Sequence, residues 1–164
     1  MTRRIVLFLM GLLASSVAAA DSNAIVGTWK LKSFVREITA TGERYNQFGE
    51  RPDGYLGYSD DGRMYVMIVA RDRPAPTGVP TDAERIELHK SMIAYGGRYR
   101  IEGGSVVHHI DIAWDGTRLG SEQMRFFSLD GDILTLKTPP LKSPVDGREG
   151  VGVLIWEKVR SSSP

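Results

Sequence analysis

The chain has 164 residues, of which 41% are hydrophobic and 25% are charged, and its formal net charge is +1. These values are typical of one folded globular domain, and they exclude an intrinsically disordered chain and a strongly basic nucleic-acid-binding protein. The sequence contains no cysteine. Disulfide bonds, thiolate metal sites and a cysteine nucleophile are therefore excluded, and the core alone must stabilise the fold.

The first 20 residues have the pattern of a secretory signal peptide. Arg3 and Arg4 precede an apolar run over residues 5–13, and small alanines lead to a cleavage site near Ala20 and Asp21. The run is shorter than the about 20 apolar residues of a transmembrane helix, so we expect no integral membrane segment after cleavage. Cleavage removes two of the 21 basic residues and none of the 20 acidic ones, which leaves a net charge of −1. We expect a periplasmic or secreted protein with no nucleic-acid partner.

Residues 21–160 are predicted to form one domain of short strands, followed by a frayed tail over residues 161–164. Runs of β-branched and aromatic residues alternate with Asp-Gly and Gly-Gly pairs, which favour hairpin turns because glycine accepts positive φ. Such a pattern is typical of a sandwich or a barrel, and a last strand that pairs with the first would close a barrel. The predicted strands lie near 26–37, 44–48, 54–59, 63–70, 97–102, 105–113, 121–129, 132–138 and 151–159.

One segment breaks the strand pattern. Three prolines keep residues 73–80 extended, and Thr81 and Glu84 then have the spacing of a capping box. Apolar residues at helical spacing predict one helix over about 82–94, lying across one end of the fold. Two roles stay open for this helix: a fixed plug of that end, or a mobile lid over a cavity.

Several short segments form an ordered set along the chain. They are Gly27-Thr28-Trp29-Lys30-Leu31, Asp61-Gly62-Arg63-Met64, Ala94-Tyr95-Gly96-Gly97-Arg98-Tyr99, Val107-His108-His109, Glu122-Gln123-Met124-Arg125-Phe126, Leu134-Thr135-Leu136 and Ile155-Trp156-Glu157. Together they resemble the lipocalin-like domain family of bacteria and fungi. The resemblance implies an all-β, antiparallel barrel of about eight or nine strands with a central cavity, and it implies little about activity because fold does not determine function.

Two neighbouring predicted strands, 105–113 and 121–129, contain most of the polar residues that could form a site. Side chains alternate between the two faces of a strand, so the antiparallel register decides which residues share a face. We assume the register that places His109 opposite Arg125. The polar face then carries His109, Asp111, Gln123 and Arg125, and the mainly apolar face carries Val106, His108, Ile110, Ile112, Met124 and Phe126.

Two interpretations of these faces stay open. In the first, the apolar face is the core with His108 as the single polar group in the cavity, and the polar face is solvated with a weak Asp111–Arg125 ion pair. In the second, the polar face lines the cavity, and Arg125 binds a ligand carboxylate through two parallel hydrogen bonds. His109 or His108 would serve as the general base if the barrel were an enzyme.

The histidines do not predict a metal site. His108 and His109 point to opposite faces of one strand, and His89 lies on the predicted helix, so the three are not expected to share one ion. The sequence also lacks a phosphate-binding glycine loop and a Gly-x-Ser-x-Gly nucleophile motif. We therefore expect no metal and no cofactor, and we assign no catalytic residue.

The function that fits these features best is the binding of a small hydrophobic or amphipathic molecule, with a carboxylate as one candidate headgroup. The alternatives are a small-barrel isomerase or cyclase, and a filled barrel that acts as a protein-interaction module. A binding protein needs a mainly apolar cavity of roughly 300 Å³ or more, whereas an interaction module needs a filled core and an exposed apolar patch. The predicted ligand-binding residues are His108, His109, Asp111, Gln123, Arg125, Tyr99, Tyr65, Trp29 and Phe126.

Overall fold

The computed structural model describes residues 24–143 and 147–160, so the predicted signal peptide and the tail lie outside the described residues. In these residues eight strands form a closed antiparallel barrel, and two short strands, one α-helix and a single 3₁₀ turn at Gly116–Arg118 accompany it. The elements in chain order are β1 (Gly27–Ile38), β2 (Arg44–Asn46), β3 (Asp53–Tyr58), β4 (Arg63–Val69), α1 (Asp82–Lys90), β5 (Met92–Glu102), β6 (Ser105–Ala113), β7 (Glu122–Asp130), β8 (Ile133–Lys137), β9 (Leu141–Lys142) and β10 (Glu149–Lys158).

The barrel closes where the last long strand returns to the first. β10 pairs antiparallel with β1, with Trp156 opposite Leu31 and Leu154 opposite Phe34, and the other barrel strands follow one another in chain order. The short strands β2 and β9 extend the sheet beside β1 and β10. The predicted barrel and its closure by the last strand are confirmed.

Strand alternation places the core inside the barrel as the sequence predicts. In β1, Trp29 and Leu31 are buried while Lys32 is exposed, and in β8 Leu134 and Leu136 are buried. The predicted hairpin between β7 and β8 is also confirmed, and Gly131 in its turn has a φ of 56°. Only a residue without a Cβ adopts that conformation at little cost, which explains why the turn contains Asp-Gly.

The two ends of the barrel differ in their connections. Tight hairpins join β3 to β4, β5 to β6 and β7 to β8 at one end, where Trp29 is fully buried and its Nε1 donates to the carbonyl of Ile25 at 2.8 Å. The connections after β4, β6 and β8 lie at the other end and are longer. We call this second end the mouth. The large aromatic side chains fill the closed end, so open space is left towards the mouth.

The helix begins as predicted and ends earlier. Thr81 and Glu84 form a capping box, in which each side chain accepts a hydrogen bond from the backbone N–H of the other. The predicted end near residue 94 is wrong, because β5 begins at Met92 rather than near residue 97 and Ile93 pairs with Ile68 of β4. The apolar residues that extend the helical pattern are therefore part of the barrel wall. The last turn of α1 is helical only to Lys90.

The assumed register of β6 and β7 is wrong. His108 lies opposite Gln123 and Val106 lies opposite Arg125, so Gln123 and Arg125 share the inner face with His108. His109 lies opposite Glu122 on the outer face. The connection between these strands contains the 3₁₀ turn, and residue spacing alone does not reveal the register.

A β-bulge changes the end of β6 as well. The register between β5 and β6 shifts between Gly96 and Gly97, and Ile112 beyond the shift is 70% exposed rather than buried with Ile110. A Cβ added at Gly97 would lie 1.9 Å from the carbonyl oxygen of His109, so the close approach of the two strands requires glycine. Met124 and Phe126 are also exposed, so the predicted apolar face does not form as one face.

Candidate functional site

A cavity of about 890 Å³ opens at the mouth of the barrel. This volume lies within the range of small-molecule sites, and it favours an open cavity over a filled barrel. Its apolar wall consists of inward side chains from β1, β3, β4, β8 and β10, together with one residue that follows β2. These are Phe34, Phe48, Leu56, Val66, Ile68, Leu136 and Leu154.

The opposite wall contains a buried histidine between two tyrosines. His108 of β6 is 1% exposed, its Nε2 lies 2.7 Å from Oη of Tyr58 and its Nδ1 lies 3.1 Å from Oη of Tyr95. Burial holds the pKa of His108 well below its usual value, and the charge of Arg125 lowers it further. Burial likewise raises the pKa of Tyr58 well above its usual value. The imidazole is therefore neutral at physiological pH, with one nitrogen donating and the other accepting.

Beside this group lie two arginines that share one amide oxygen. Nη2 of Arg125 donates to Oε1 of Gln123 at 2.6 Å, and Nη1 of Arg118 donates to the same oxygen at 3.4 Å. Arg125 also donates to the backbone carbonyl of Met124 at 2.7 Å. Burial lowers the pKa of Arg118, and the nearby charge of Arg125 lowers it further. Within the described part of the chain, neither guanidinium forms an ion pair with a carboxylate.

A third arginine, Arg36 of β1, lines the cavity on the side of β9. It is 8% exposed and donates to the backbone carbonyls of Leu141 and Arg148. Its Nε has no hydrogen-bond partner, and the same is true of Nε of Arg118 and Nε1 of Trp156. All three belong to cavity-lining residues, and in residues 24–143 and 147–160 they are the only buried side-chain nitrogens or oxygens without a partner.

Three of the nine predicted ligand-binding residues line this cavity: His108, Gln123 and Arg125. Two more lie in the interior away from it. Trp29 fills the closed end, and the hydroxyl of Tyr99 donates to the carbonyl of Ser59 at 2.9 Å near the hairpin turn.

The other four predicted residues, His109, Asp111, Tyr65 and Phe126, lie on the outer wall. Nε2 of His109 lies 3.5 Å from Oδ1 of Asp111 on this wall, and Nη1 of Arg63 lies 2.8 Å from Oδ2 of Asp111. The predicted Asp111–Arg125 ion pair and the shared polar face of Asp111 and Arg125 are therefore wrong. The binding roles of all nine residues stay predictions.

The sequence interpretation missed four polar residues of the interior: Tyr58, Tyr95, Arg118 and Arg36. Arg36 carried a usable signal, since it lies two residues after Phe34 on a strand whose neighbours at that spacing are buried. Tyr95 was hidden because it lies between the predicted helix, 82–94, and the next predicted strand, 97–102. Arg118 carried no signal, because it lies in the connection between β6 and β7 and enters the cavity only through the 3₁₀ turn.

No metal site is evident in the described residues, which contain no group of three histidine, aspartate or glutamate side chains arranged to hold an ion. The same residues contain no helix with the length and apolar character needed to cross a bilayer.

Comparison with known proteins agrees with the architecture. The family model described as a lipocalin-like domain matches residues 26–159, from just before β1 to just after β10. No curated protein matches the chain.

Proposed function

The chain belongs to the lipocalin-like domain family, and from this premise we propose that it binds a small hydrophobic or amphipathic molecule inside the barrel. The observation that carries the proposal is the cavity of about 890 Å³, which has an apolar wall on one side and a polar wall on the other. Concave sites that combine a mainly apolar lining with a few convergent polar groups are typical of small-molecule binding.

The apolar wall supplies the binding free energy. Each methylene group transferred from water to such a surface contributes about 0.8 kcal/mol, so a tail of eight methylenes contributes ~6 kcal/mol before the entropy of association is subtracted. The polar wall then orients the molecule by its headgroup.

The ligand would enter through the mouth beside α1. The helix contributes only its last residues, His89 and Lys90, to the cavity lining, and none of its residues is buried. Two hydrogen bonds fix this end: Nε1 of Trp114 donates to the carbonyl of His89 at 3.2 Å, and Nη2 of Arg73 donates to the carbonyl of Leu88 at 3.0 Å. The helix therefore forms part of the rim of the mouth.

A pair of neighbouring variants tests binding in the cavity. Val66 is buried and lines the cavity, whereas Met67 on the same strand is exposed on the outer wall. Val66→Phe places a larger side chain in the cavity, which reduces its free volume, and should weaken the binding of 1-dodecanol at least tenfold in calorimetric titrations. Met67→Phe makes a similar change outside and should leave the Kd within twofold of that of the unmodified protein. Equal affinities of the two variants, or no dodecanol binding to the unmodified protein, would contradict the proposal.

We also propose that the protein is exported and that residues 1–20 are removed. The support is the sequence pattern alone: a positive start, a short apolar run and small residues before Asp21. Fractionation of cells that express the full chain, followed by intact-mass measurement, tests it. We expect the mass of residues 21–164 in the periplasmic fraction or the medium, and an unprocessed cytoplasmic protein would contradict export.

A further inference from the structure

We propose that the polar wall is a binding site for an acid, in which Arg118, Arg125 and Tyr95 together hold the carboxylate of an amphipathic ligand. The inference rests on the proposed function, because it names the chemical class of the molecule that the cavity takes. The apolar wall would hold the tail of the same molecule.

The polar wall of the cavity has an excess of positive charge. Arg118 and Arg125 share the neutral oxygen of Gln123 and have no carboxylate partner within residues 24–143 and 147–160. Two carboxylates do lie at the rim, but each is already engaged. Glu122 accepts two hydrogen bonds from Arg100, at 2.6 and 3.0 Å, and Asp115 accepts from Thr117 within its own turn. Two like charges in a partly desolvated site therefore favour an anion from outside the chain.

The buried polar atoms that have no hydrogen-bond partner in the described residues are all donors. The three buried unpartnered atoms of the described chain, Nε of Arg36, Nε of Arg118 and Nε1 of Trp156, are all donors on cavity-lining residues. Buried polar groups in folded proteins are almost always hydrogen-bonded, so the lining of this cavity has more donors than acceptors. A carboxylate brings two acceptor oxygens, and Nη2 of Arg118, which has no hydrogen-bond partner among the described residues, is a donor for one of them.

The hydrogen bonds from Tyr58 through His108 to Tyr95 run in one direction. Tyr58 is buried, and His108 is the one hydrogen-bond partner found for its hydroxyl in the described structure. Its O–H is satisfied only if it donates to Nε2, which places the ring proton on Nδ1. Nδ1–H then donates to Oη of Tyr95, 3.1 Å away. The hydroxyl hydrogen of Tyr95, a cavity-lining residue, is left free to donate to the ligand.

His108 is accordingly a positioning residue. It makes the Tyr95 hydroxyl an obligatory donor towards the cavity, because its own nitrogens are fixed by the chain that begins at Tyr58. A donor at this point adds to the two guanidinium groups and favours an anionic headgroup over an alcohol. The apolar wall lies on other strands of the barrel, so the headgroup and the tail contact different sides of the cavity.

The test uses four ligands that share one tail: dodecanoate, 1-dodecanol, dodecyl phosphate and dodecyltrimethylammonium. Their Kd values for the unmodified mature protein are measured by calorimetry below micelle-forming concentrations. We expect dodecanoate to bind at least tenfold more tightly than dodecanol and dodecyltrimethylammonium. The ratio of the dodecanol Kd to the dodecanoate Kd measures acid selectivity independently of how well the tail packs.

Variants assign this selectivity to the proposed residues. Arg118→Gln should lower the ratio at least fivefold, because it weakens the binding of dodecanoate more than the binding of dodecanol. Tyr95→Phe should lower it about threefold, and His108→Phe should lower it by the same factor, with no further loss in the double variant. Arg63→Gln is the matched control, because it removes the same charge from the outer wall and should leave the ratio unchanged. If His108 acted only through packing, His108→Phe would change the dodecanol Kd and the dodecanoate Kd by the same factor and leave their ratio unchanged.

The outcomes separate this inference from the proposed function. Equal binding of dodecanoate and dodecanol would overturn the acid site and leave cavity binding supported. Dodecyl phosphate that binds tenfold more tightly than dodecanoate would overturn the assignment to a carboxylate. If none of the four ligands binds, both proposals are refuted.

Discussion

Neutral His108 makes the stability of the barrel depend on pH in a predictable way. In the folded protein, burial holds the pKa of His108 well below 6.5, while in the unfolded chain the same imidazole has its ordinary value near 6.5. Below pH 6.5 the unfolded state therefore binds a proton that the folded state does not. The contribution of His108 to the free energy of unfolding is fully present above pH 6.5 and is lost as the pH falls towards the lowered pKa.

The size of the effect follows from the linkage relation. Each pH unit between the two pKa values changes the free energy of unfolding by about 1.4 kcal/mol for one proton. Between pH 7.5 and pH 5.0 at most roughly 1.5 units lie below the unfolded-state pKa, so the loss due to His108 is at most ~2 kcal/mol. For a domain of this size the melting temperature would fall by at most roughly 6–10 °C from this group alone.

Urea unfolding at a series of pH values between 7.5 and 5.0 measures the slope. We compare the unmodified protein with His108→Gln, which cannot titrate at this position. The slope should flatten by up to about 1.4 kcal/mol per pH unit in His108→Gln below pH 6.5. The reasoning is refuted if His108→Gln has the same slope as the unmodified protein, or if the ring resonances of His108 titrate in the folded protein near pH 6.5.

Three further changes have expected outcomes in urea unfolding and hydrogen exchange. Gly97→Ala places a Cβ 1.9 Å from the carbonyl oxygen of His109 at the bulge and should lower the free energy of unfolding by about 2 kcal/mol or more. Thr81→Ala removes the side chain that accepts a hydrogen bond from the N–H of Glu84. Amide hydrogen exchange in the first turn of α1 should accelerate by the factor expected for a loss of ~1 kcal/mol in local stability, and exchange in the barrel strands should not change. Arg63→Gln breaks an exposed ion pair and should change global stability by less than about 1 kcal/mol. A loss above 2 kcal/mol in that variant, or none in Gly97→Ala, would contradict the structural account.

Much of the fold could be predicted because it depends on local chemistry. Alternation in β1 and β8, the Asp-Gly turn at Gly131 and the capping box at Thr81 are all decided by residues close in sequence. Closure by β10 also followed from its β-prone composition, since a barrel leaves no strand edge exposed. The end of α1 was mispredicted, because Ile93 has the same apolar character in a helix face as in a barrel wall.

The candidate site was predicted only in part. His108, Gln123 and Arg125 all line the cavity. The first interpretation placed only His108 there and the second placed Gln123 and Arg125 there, so neither predicted all three together. The assumed register grouped Arg125 with Asp111, and a change of face for one strand is enough to separate them. Arg118 reaches the same cavity from a connection whose conformation no alternation pattern describes.

The sequence by itself determined an antiparallel domain of short strands with one capped helix, because strand alternation, turn chemistry and capping act between residues a few positions apart. The family resemblance favoured a barrel over a sandwich. Only the tertiary structure decided which polar side chains enter the cavity. The bulge at Gly97 and the 3₁₀ turn at Gly116–Arg118 set the faces of β6 and β7. Those faces depend on the pairing between strands, and in a closed barrel that pairing is fixed by all the strands together.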